Sequence, residues 1–315
     1  MGAPPGRAFR DLPASCDNRA MTDTLKASCL CRGVAWEVDA PLRPLDGPYA
    51  PLTFSHCHCT RCRKTHGAAF STYLVVREQE FRLTRGREHI VTWQSPGAGT
   101  RPFCGVCGSV VPDGVASHGV IGMPAGPFDD DIPLRPMAHI FVASKAPWVT
   151  LHDDLPRFDA YPDALGAPAL PTRAPVDPWE GHPRGSCLCG EVAYVVEGPL
   201  LRARNCHCSR CRKAVSAAFF SALITTIDGV RFTRGEERVR GFKVPDAQFF
   251  EHRFCGTCGS AAPRRSAPRG ITVIPMGTLD DDPGMRPGSH IFAASRASWD
   301  VITDDLPRHD EYPPA

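Results

Sequence analysis

The amino-acid sequence predicts a mostly β protein built from two tandem copies of one domain, each made of short antiparallel strands. The 32 prolines and 28 glycines make up about a fifth of the 315 residues, and this composition suits short strands joined by many turns. In addition, blocks of sequence recur in the same order in the two halves of the chain, which is typical of a duplicated domain.

The spacing of the recurring blocks locates the two copies. The first cysteine pair recurs 158 residues later (positions 29 and 187), the second cluster 149 residues later (57 and 206) and the third 151 residues later (104 and 255). The first copy therefore carries nine additional residues, and the proline-rich stretch 41–51 is their predicted site. We assign the copies to residues 24–162 and 182–315, with a proline-rich linker at 163–181 and a disordered tail at 1–23.

Composition and charge exclude several classes of partner. Lys and Arg number 36 against 34 Asp and Glu, so no nucleic-acid partner is predicted. No apolar run is long enough to span a membrane, and no secretory signal precedes the cysteines. We therefore expect a cytoplasmic protein whose 15 cysteines bind metal rather than form disulfides. The arginines of the tail also allow a transit peptide, and Met21 is an alternative start.

Short elements are predicted in both copies. Apolar residues alternate with smaller or charged ones at 34–38 and at 192–196, which favours half-buried strands. One helical turn is predicted at 61–65, directly after the second cysteine cluster. Further strands are predicted at 71–76, 81–84, 88–93 and 139–143.

Four of the seven cysteines in each copy have the spacing of a closed zinc site. A C-x-C pair starts the copy, and a C-x2-C pair followed by glycine lies in its middle, as in a zinc knuckle. Four thiolates fill the tetrahedral coordination of Zn²⁺, so this site is predicted to be structural. Its ligands are Cys29, Cys31, Cys104 and Cys107 in the first copy and Cys187, Cys189, Cys255 and Cys258 in the second.

The other three cysteines of each copy form a C-x-C-x2-C cluster. Three protein ligands leave one coordination position open, as in catalytic zinc sites. His58 and His207 lie between two cysteines, where an extended backbone points the side chain away, and His56 and His66 have no counterpart in the second copy. Spacing alone still allows a histidine as fourth ligand and other groupings of the clusters. The predicted ligands are Cys57, Cys59, Cys62, Cys206, Cys208 and Cys211.

Two basic residues follow each three-cysteine cluster, Arg63 with Lys64 and Arg212 with Lys213. Zn²⁺ with three thiolates has a net charge of −1, and a thiolate from a substrate would bring it to −2. These cations are therefore predicted to offset that charge or to bind substrate carboxylates. An ordinary solvated surface is the alternative.

Other recurring residues have structural interpretations. Trp36, Trp148 and Trp299 are predicted to lie in the core, and His139 and His290 are predicted to be hydrogen-bonded core histidines rather than ligands. The aspartates at 153–154 and 304–305 are predicted in turns, and those at 129–131 and 280–282 in a solvated turn.

Together, these motifs resemble the glutathione-dependent formaldehyde-activating enzyme family, which includes centromere protein V-like proteins. The matching motifs are C-H-C-x-x-C-R-K, A-A-F, F-C-x-x-C-G-S, a G-x-L/F-D-D type of segment, H-I-F, and W followed by D-D-L-P, over about 24–162 and 182–313. The resemblance implies an Mss4-like β fold with two zinc ions per domain, four per chain. It also implies that the three-cysteine site accepts the sulfur of glutathione.

The resemblance further implies an enzyme, a carbon–sulfur lyase that joins glutathione and formaldehyde as S-hydroxymethylglutathione. His66 is the candidate proton donor in the first copy only, since Val215 takes its place in the second. The partners would be a small thiol and a small aldehyde. A non-catalytic zinc-stabilised binding module and a metal-buffering or redox protein are the alternatives. The duplication also allows the copies to pack as an intramolecular pseudo-dimer.

Overall fold

A computed structural model describes residues 24–97, 99–163 and 181–313. The predicted tail, with Cys16, and residues 164–180 of the predicted linker lie outside the described residues. Within these ranges the protein is mostly β, as predicted, and no helix is both long and apolar enough to cross a membrane.

The described residues of the first copy form two sheets, a hairpin and one α-helix. The elements are β1 (Thr24–Ser28), β2 (Ala35–Asp39), β3 (Phe54–Cys57), α1 (Thr60–His66), β4 (Ser71–Arg77), β5 (Phe81–Arg85), β6 (Ile90–Gln94), β7 (Thr100–Cys104), β8 (Val120–Pro124), β9 (Ala138–Ile140) and β10 (Arg157–Phe158). One sheet has the order β1-β2-β5, the other has the order β10-β9-β3-β4-β8, and β6 pairs with β7. Most pairs are antiparallel, but β9 runs parallel to β3 and to β10, unlike the prediction.

The second copy repeats this arrangement. Its described elements are β11 (Arg184–Ser186), β12 (Ala193–Val196), β13 (Leu200–Cys206), α2 (Ser209–Val215), β14 (Phe220–Thr226), β15 (Val230–Arg234), β16 (Val239–Lys243), β17 (Glu251–Cys255), β18 (Arg264–Ser266), β19 (Ile271–Pro275), β20 (His290–Ile291) and β21 (Arg308–His309). The sheets have the orders β11-β12-β15 and β18-β19-β14-β13-β20-β21, with β16 paired to β17.

Two predicted strands end differently for local reasons. The strand predicted at 88–93 begins only at Ile90, because Arg87–His89 form a 3₁₀ turn after Gly86 in the left-handed region. The strand predicted at 139–143 ends at Ile140, because Phe141 has a φ of 58° and starts a 3₁₀ turn. A positive φ is rare for a bulky side chain, and the equivalent Phe292 has a φ of 55°.

Each copy supplies a tryptophan to the core of the other. The Trp299 ring lies edge-on to Phe54, with ring centroids 5.3 Å apart, and packs in the apolar cluster around Trp36. Trp148 occupies the equivalent place in the second copy, in the cluster that contains Leu223. The prediction that these tryptophans are buried is confirmed, but Trp148 and Trp299 complete the core of the opposite copy.

Glycines allow the two backbones to approach each other. A Cβ atom at Gly126 would lie 2.5 Å from the backbone of Ala217, and one at Gly277 would lie 2.4 Å from the backbone of Ala68. Such distances are too short for any side chain, so glycine is required at both positions. The A-A-F segment of each copy thus packs against the glycine and acidic turn of the other.

Candidate metal centres and the cleft beside them

Four cysteine thiols converge in each copy where β1 and β7, or β11 and β17, end. In both groups the sulfur atoms lie within 4.8 Å of one another. The Sγ atoms of Cys29 and Cys31 are 3.4 Å apart, and those of Cys31 and Cys104 are 3.7 Å apart. Four sulfurs at about 2.3 Å from a tetrahedral zinc lie about 3.8 Å from each other, so these thiols fit a zinc ion. The groups are Cys29, Cys31, Cys104 and Cys107, and Cys187, Cys189, Cys255 and Cys258, as the spacing predicted.

Backbone amides support the thiolate form that metal binding needs. Val34 N–H donates to Cys29 Sγ at 3.3 Å, and Val192 N–H donates to Cys187 Sγ at 3.2 Å. Hydrogen bonds to the charged form favour it. Gly108 follows the first C-x2-C pair with a φ of 77°, so it makes the tight turn predicted for a zinc knuckle.

The three-cysteine clusters lie where β3 meets α1 and where β13 meets α2. Their sulfur atoms also lie within 4.8 Å of one another, and among the described residues no fourth His, Cys, Asp or Glu joins either group. Cys59 and Cys208 cap the helices, because their Sγ atoms accept from Cys62 N–H at 3.3 Å and Cys211 N–H at 3.4 Å. Hydrogen bonds from Cys206 and Cys211 lower the pKa of Cys208 to about 3. The clusters are Cys57, Cys59 and Cys62, and Cys206, Cys208 and Cys211.

The histidines between the cysteines point away from the sulfurs. His58 Nε2 lies 2.8 Å from His139 Nδ1, and His139 Nε2 lies 3.0 Å from a carboxylate oxygen of Asp153. His207, His290 and Asp304 form the same chain in the second copy. Burial, followed by repulsion from His139, lowers the pKa of His58 to about 3. These histidines are therefore hydrogen-bonded core residues, as predicted for His139 and His290, and they are not a fourth ligand.

One difference between the copies changes the number of protons in this hydrogen-bonded series of two histidines and an aspartate. A neutral imidazole carries one N–H, and in the first copy the two histidines donate in turn to Asp153. His58 Nδ1 is then bare and has no partner among the described residues. In the second copy Asp300 replaces Val149, and its Oδ2 lies 3.1 Å from His207 Nδ1. A bare His207 Nδ1 and an ionised Asp300 would both be acceptors and could not bond to each other. The hydrogen-bonded series of the second copy must therefore hold one more proton than that of the first.

His66, the predicted proton donor, is buried between the copies. Its Nδ1 lies 2.7 Å from Val215 O, and its Nε2 lies 3.3 Å from Tyr73 Oη. Burial lowers the pKa of His66, although the Cys62 thiolate opposes the shift. The neutral ring thus donates through Nδ1 to the carbonyl, and Nε2 accepts from the Tyr73 hydroxyl.

The four predicted cofactor-binding cations lie in the contact between the copies. Arg63 Nη1 donates to Gly277 O at 3.1 Å, and Arg212 Nη1 donates to Gly126 O at 3.3 Å. Lys64 Nζ lies 2.8 Å from Asp280 Oδ1, and Lys213 Nζ lies 2.8 Å from Asp129 Oδ1. We therefore assign Arg63, Lys64, Arg212 and Lys213 to the interface. In the second copy the acidic segment is not the solvated turn that was predicted, since Asp280 and Asp281 are nearly buried, whereas Asp129 of the first copy is 42% exposed.

The two three-cysteine clusters differ in their described surroundings, and Cys208 is partly exposed where Cys59 is buried. Leu52, one residue after the predicted insertion at 41–51, packs against the first cluster together with Phe158 and Tyr161. In the second copy a cleft of about 390 Å³ opens beside the cluster and is lined by all three cysteines. Its walls carry Phe220, Phe250, Tyr312, Arg204, Arg210, Arg264 and Arg269.

A separate cavity of about 490 Å³ lies between the copies. Equivalent residues line it from both sides, including Phe70 and Phe219, whose ring centroids are 5.4 Å apart, and Asp153 and Asp304. None of the cysteines lines this cavity. A molecule bound there would contact the histidine chains but not the thiols.

Comparison with known proteins agrees with the cysteine geometry. A family model described as glutathione-dependent formaldehyde-activating enzyme matches residues 24–144 and, again, residues 182–295. The chain belongs to this family. The double match supports a duplicated domain of the formaldehyde-activating type. The crystal structure of a Rhodobacter sphaeroides protein is 30% identical over 33% of this chain and 97% of its own, with a TM-score of 0.27. No curated protein matches the chain.

Sequence reasoning missed a histidine beside the second cluster. His252 takes the place of Arg101, and it lines a water-sized cavity of about 30 Å³ together with Cys211 and Val215. Its Nδ1 lies 2.8 Å from Cys107 O, and its Nε2 is buried without a partner among the described residues. The second copy thus places a histidine next to the position where the first copy has His66. A residue-by-residue comparison of the copies on either side of the F-C-x-x-C motif could have found it.

Proposed function

We propose that the protein is a zinc-dependent carbon–sulfur lyase that forms or cleaves S-hydroxymethylglutathione, or the adduct of a similar thiol and aldehyde. The observation that carries this proposal is the second three-cysteine cluster, whose thiols open onto a cleft of about 390 Å³. A purely structural zinc site has no use for a vacant coordination position. Family membership supports the choice of glutathione and formaldehyde.

The proposed reaction balances without an oxidant. In the direction of synthesis, the thiol loses its proton, the sulfur lone pair forms a bond to the aldehyde carbon, and the carbonyl π electrons move to oxygen, which takes up a proton. Cleavage is the reverse. Zinc held by Cys206, Cys208 and Cys211 would act as a Lewis acid that favours the thiolate form of a bound thiol at neutral pH.

Residues of the cleft have separate tasks in this scheme. Phe220 and Phe250 line the cleft beside the thiols and exclude water from the reacting carbon. The Tyr312 hydroxyl accepts from Arg269 Nη1 at 3.3 Å, so its own O–H can point to the developing alkoxide. In the first copy, the neutral ring of His66 gives its one N–H to Val215 O and accepts from the Tyr73 hydroxyl, so this arrangement leaves it no proton for the alkoxide.

The reciprocal contacts support an intramolecular pseudo-dimer as the working unit. Lys64 of the first copy and Lys213 of the second each bind the acidic turn of the opposite copy. The cysteines of the described residues are all free thiols. A reducing cytoplasm would keep them ready to bind metal.

A matched pair of variants tests the proposal. Cys59→Ser and Cys208→Ser remove the same ligand from the first and the second cluster. We expect elemental analysis to give about four zinc ions in the parent and about three in each variant, by the coordination chemistry of these sites. Turnover of glutathione plus formaldehyde should be lost in Cys208→Ser and mostly kept in Cys59→Ser.

Other results would change the assignment. Loss of turnover only in Cys59→Ser would place the reaction in the first copy, where His66→Gln would then be the next variant. Full zinc content without turnover of any thiol–aldehyde pair would refute the lyase and favour a binding module. Variable zinc loading would favour a metal buffer.

A further inference from the structure

The cavity of about 490 Å³ between the copies has the character of a binding site that the proposed lyase does not use. Its volume is within the range of pockets for small molecules. Apolar and aromatic side chains form part of its lining, and several charged and polar groups converge beside them. Each copy contributes one wall, so the cavity exists only where the two copies pack together.

Two equivalent carboxylates, one from each copy, reach this cavity. Asp153 and Asp304 line it and are 24% and 21% exposed. Each accepts from a histidine, His139 Nε2 or His290 Nε2, at 3.0 Å, and from the backbone N–H two residues further on. A carboxylate can accept about four hydrogen bonds. Both carboxylates are thus held in place and can still accept from a ligand.

The lining of the cavity carries more negative than positive charge. Among the lysines and arginines of the described residues, only Arg286 lines it, and its guanidinium pairs with Asp282 at 2.6 Å. The nearby Arg157 and Arg308 donate to backbone carbonyls and not to the carboxylates. An excess of carboxylates favours a cation as ligand. The lining acids are Asp153, Asp300, Asp304 and Asp305.

The cavity also presents polar atoms that have no protein partner. Asn205 lines it and is 7% exposed, and its Oδ1 accepts from Ser221 Oγ at 2.8 Å. The amide N–H groups of Asn205 have no partner among the described residues and reach the accessible space there. At the equivalent position His56, also 7% exposed, bonds to Thr72 Oγ1 through Nδ1 at 2.9 Å, which leaves Nε2 for the cavity. An oxygen atom of a ligand would satisfy the amide donors.

We propose that this cavity binds a small protonated amine that has an aromatic or apolar body and an oxygen acceptor. The ammonium group would donate to Asp153 or Asp304, and such charge-assisted hydrogen bonds are about twice as strong as neutral ones. The oxygen would accept from Asn205. The body would pack against Phe70 and Phe219, whose rings also attract a cation. The proposal does not rest on the proposed function.

The first test uses the zinc-loaded full chain, isothermal titration calorimetry and two probes that share a phenol ring. Tyramine carries an ammonium group at the end of its chain, whereas 4-ethylphenol has no charge. We expect one tyramine site per chain and an affinity for 4-ethylphenol that is about 10- to 100-fold lower, as for the loss of hydrogen bonds to a charged group. Equal affinity for the two probes, or no binding of tyramine, would overturn the proposal.

Variants of the carboxylates locate the site. Asp153→Asn and Asp304→Asn keep an oxygen for the bonds from histidine and backbone but remove the charge. Each should lower the affinity for tyramine about 10-fold and leave that for 4-ethylphenol unchanged. Asp154→Asn is the control, because Asp154 is exposed and does not line the cavity. Unchanged tyramine affinity in both variants, or an equal loss in the control, would contradict the proposal.

A second pair of variants serves if the carboxylate variants fail to fold. Val301 lines the cavity but is 59% exposed, so its replacement leaves the core intact. Val301→Lys adds a cation to the wall and should lower the affinity for tyramine about 10-fold or more through repulsion of like charges. Val301→Gln, which is polar but uncharged, should keep it. Equal affinity in these two variants would overturn the proposal.

The outcomes separate this site from the proposed lyase. Tyramine binding should persist in Cys208→Ser, because none of the described cysteines lines the cavity, although turnover of glutathione plus formaldehyde is lost there. Val301→Lys should lose tyramine binding but keep turnover and about four zinc ions. Tyramine binding without turnover in the parent would support the site and refute the lyase, and turnover without tyramine binding would do the reverse.

Discussion

Two ion pairs across the interface have the same chemistry but different burial, and they give a matched test of what holds the copies together. In both, the lysine nitrogen lies 2.8 Å from the aspartate oxygen. Lys64 and Asp280 are 4% and 10% exposed, whereas Lys213 and Asp129 are 13% and 42% exposed. Removing one partner of a buried pair costs about 3–5 kcal/mol, and an exposed pair contributes about 0–1 kcal/mol.

Asp280→Asn should therefore lower the free energy of unfolding by about 3 kcal/mol, at the low end of that range. The low end applies because Lys64 Nζ keeps its bonds to Ser186 O and Oγ, at 2.8 and 2.7 Å. Asp129→Asn should lower it by about 1 kcal/mol or less.

The assay is urea unfolding at a constant excess of zinc, followed by far-UV circular dichroism. With an m value of about 3 kcal/mol per M, the midpoint should fall by about 1 M for Asp280→Asn and by about 0.3 M or less for Asp129→Asn. Equal shifts, or a larger shift for Asp129→Asn, would refute the argument that burial sets the strength of these contacts.

Three further predictions concern the interface, acid and metal. Gly277→Ala should cost about 1–3 kcal/mol or more in urea unfolding by overpacking, whereas Gly288→Ala should be nearly neutral, because a Cβ there meets nothing within 4 Å. Burial lowers the pKa values of His56, His58 and His139, so only the unfolded chain takes up these protons below pH 6.5. The free energy of unfolding should therefore fall from pH 6.5 to 5, by up to about 1.4 kcal/mol per histidine per pH unit, with zinc retention measured in parallel; a flat profile would contradict this. A chelator should remove the two zinc ions of the three-cysteine sites before the two ions of the four-cysteine sites, because three protein ligands hold zinc less firmly than four. The measurement is a time course of zinc content, and simultaneous loss of all four ions would argue against two kinds of site.

Much of the architecture was predictable, because the spacing of cysteines in the sequence indicates which thiols come together in the fold. The C-x-C and C-x2-C spacings predicted which thiols converge, and the structure places Cys31 beside Cys104 although they are far apart in sequence. The duplication was equally predictable, because the motifs repeat in the same order. The helical turn predicted at 61–65 is α1, which Cys59 begins and Gly67 ends.

The sequence carried less information about contacts between the copies. Lys64 and Lys213 stand beside the zinc motif in sequence, which favoured a role in substrate binding, but their partners are in the other copy. The tryptophans were recognisable as core residues, yet no local pattern says which core Trp299 completes. Arg264 and Arg269 belong to no motif, and Asp113 and His118 take their places in the first copy. The sequence therefore gives no sign that both arginines line the cleft beside the second cluster.

The exchange of tryptophans has a consequence for biosynthesis. Phe54 leaves the ribosome 245 residues before Trp299, the residue that packs against it. At roughly 5–20 residues per second, the wait is about 10–50 s. During this time the nascent first copy exposes an apolar slot that chaperones can recognise. Translation of the segment that carries Trp299 therefore acts as the closing step for the first half, and a chain that stopped before this segment would leave the slot open.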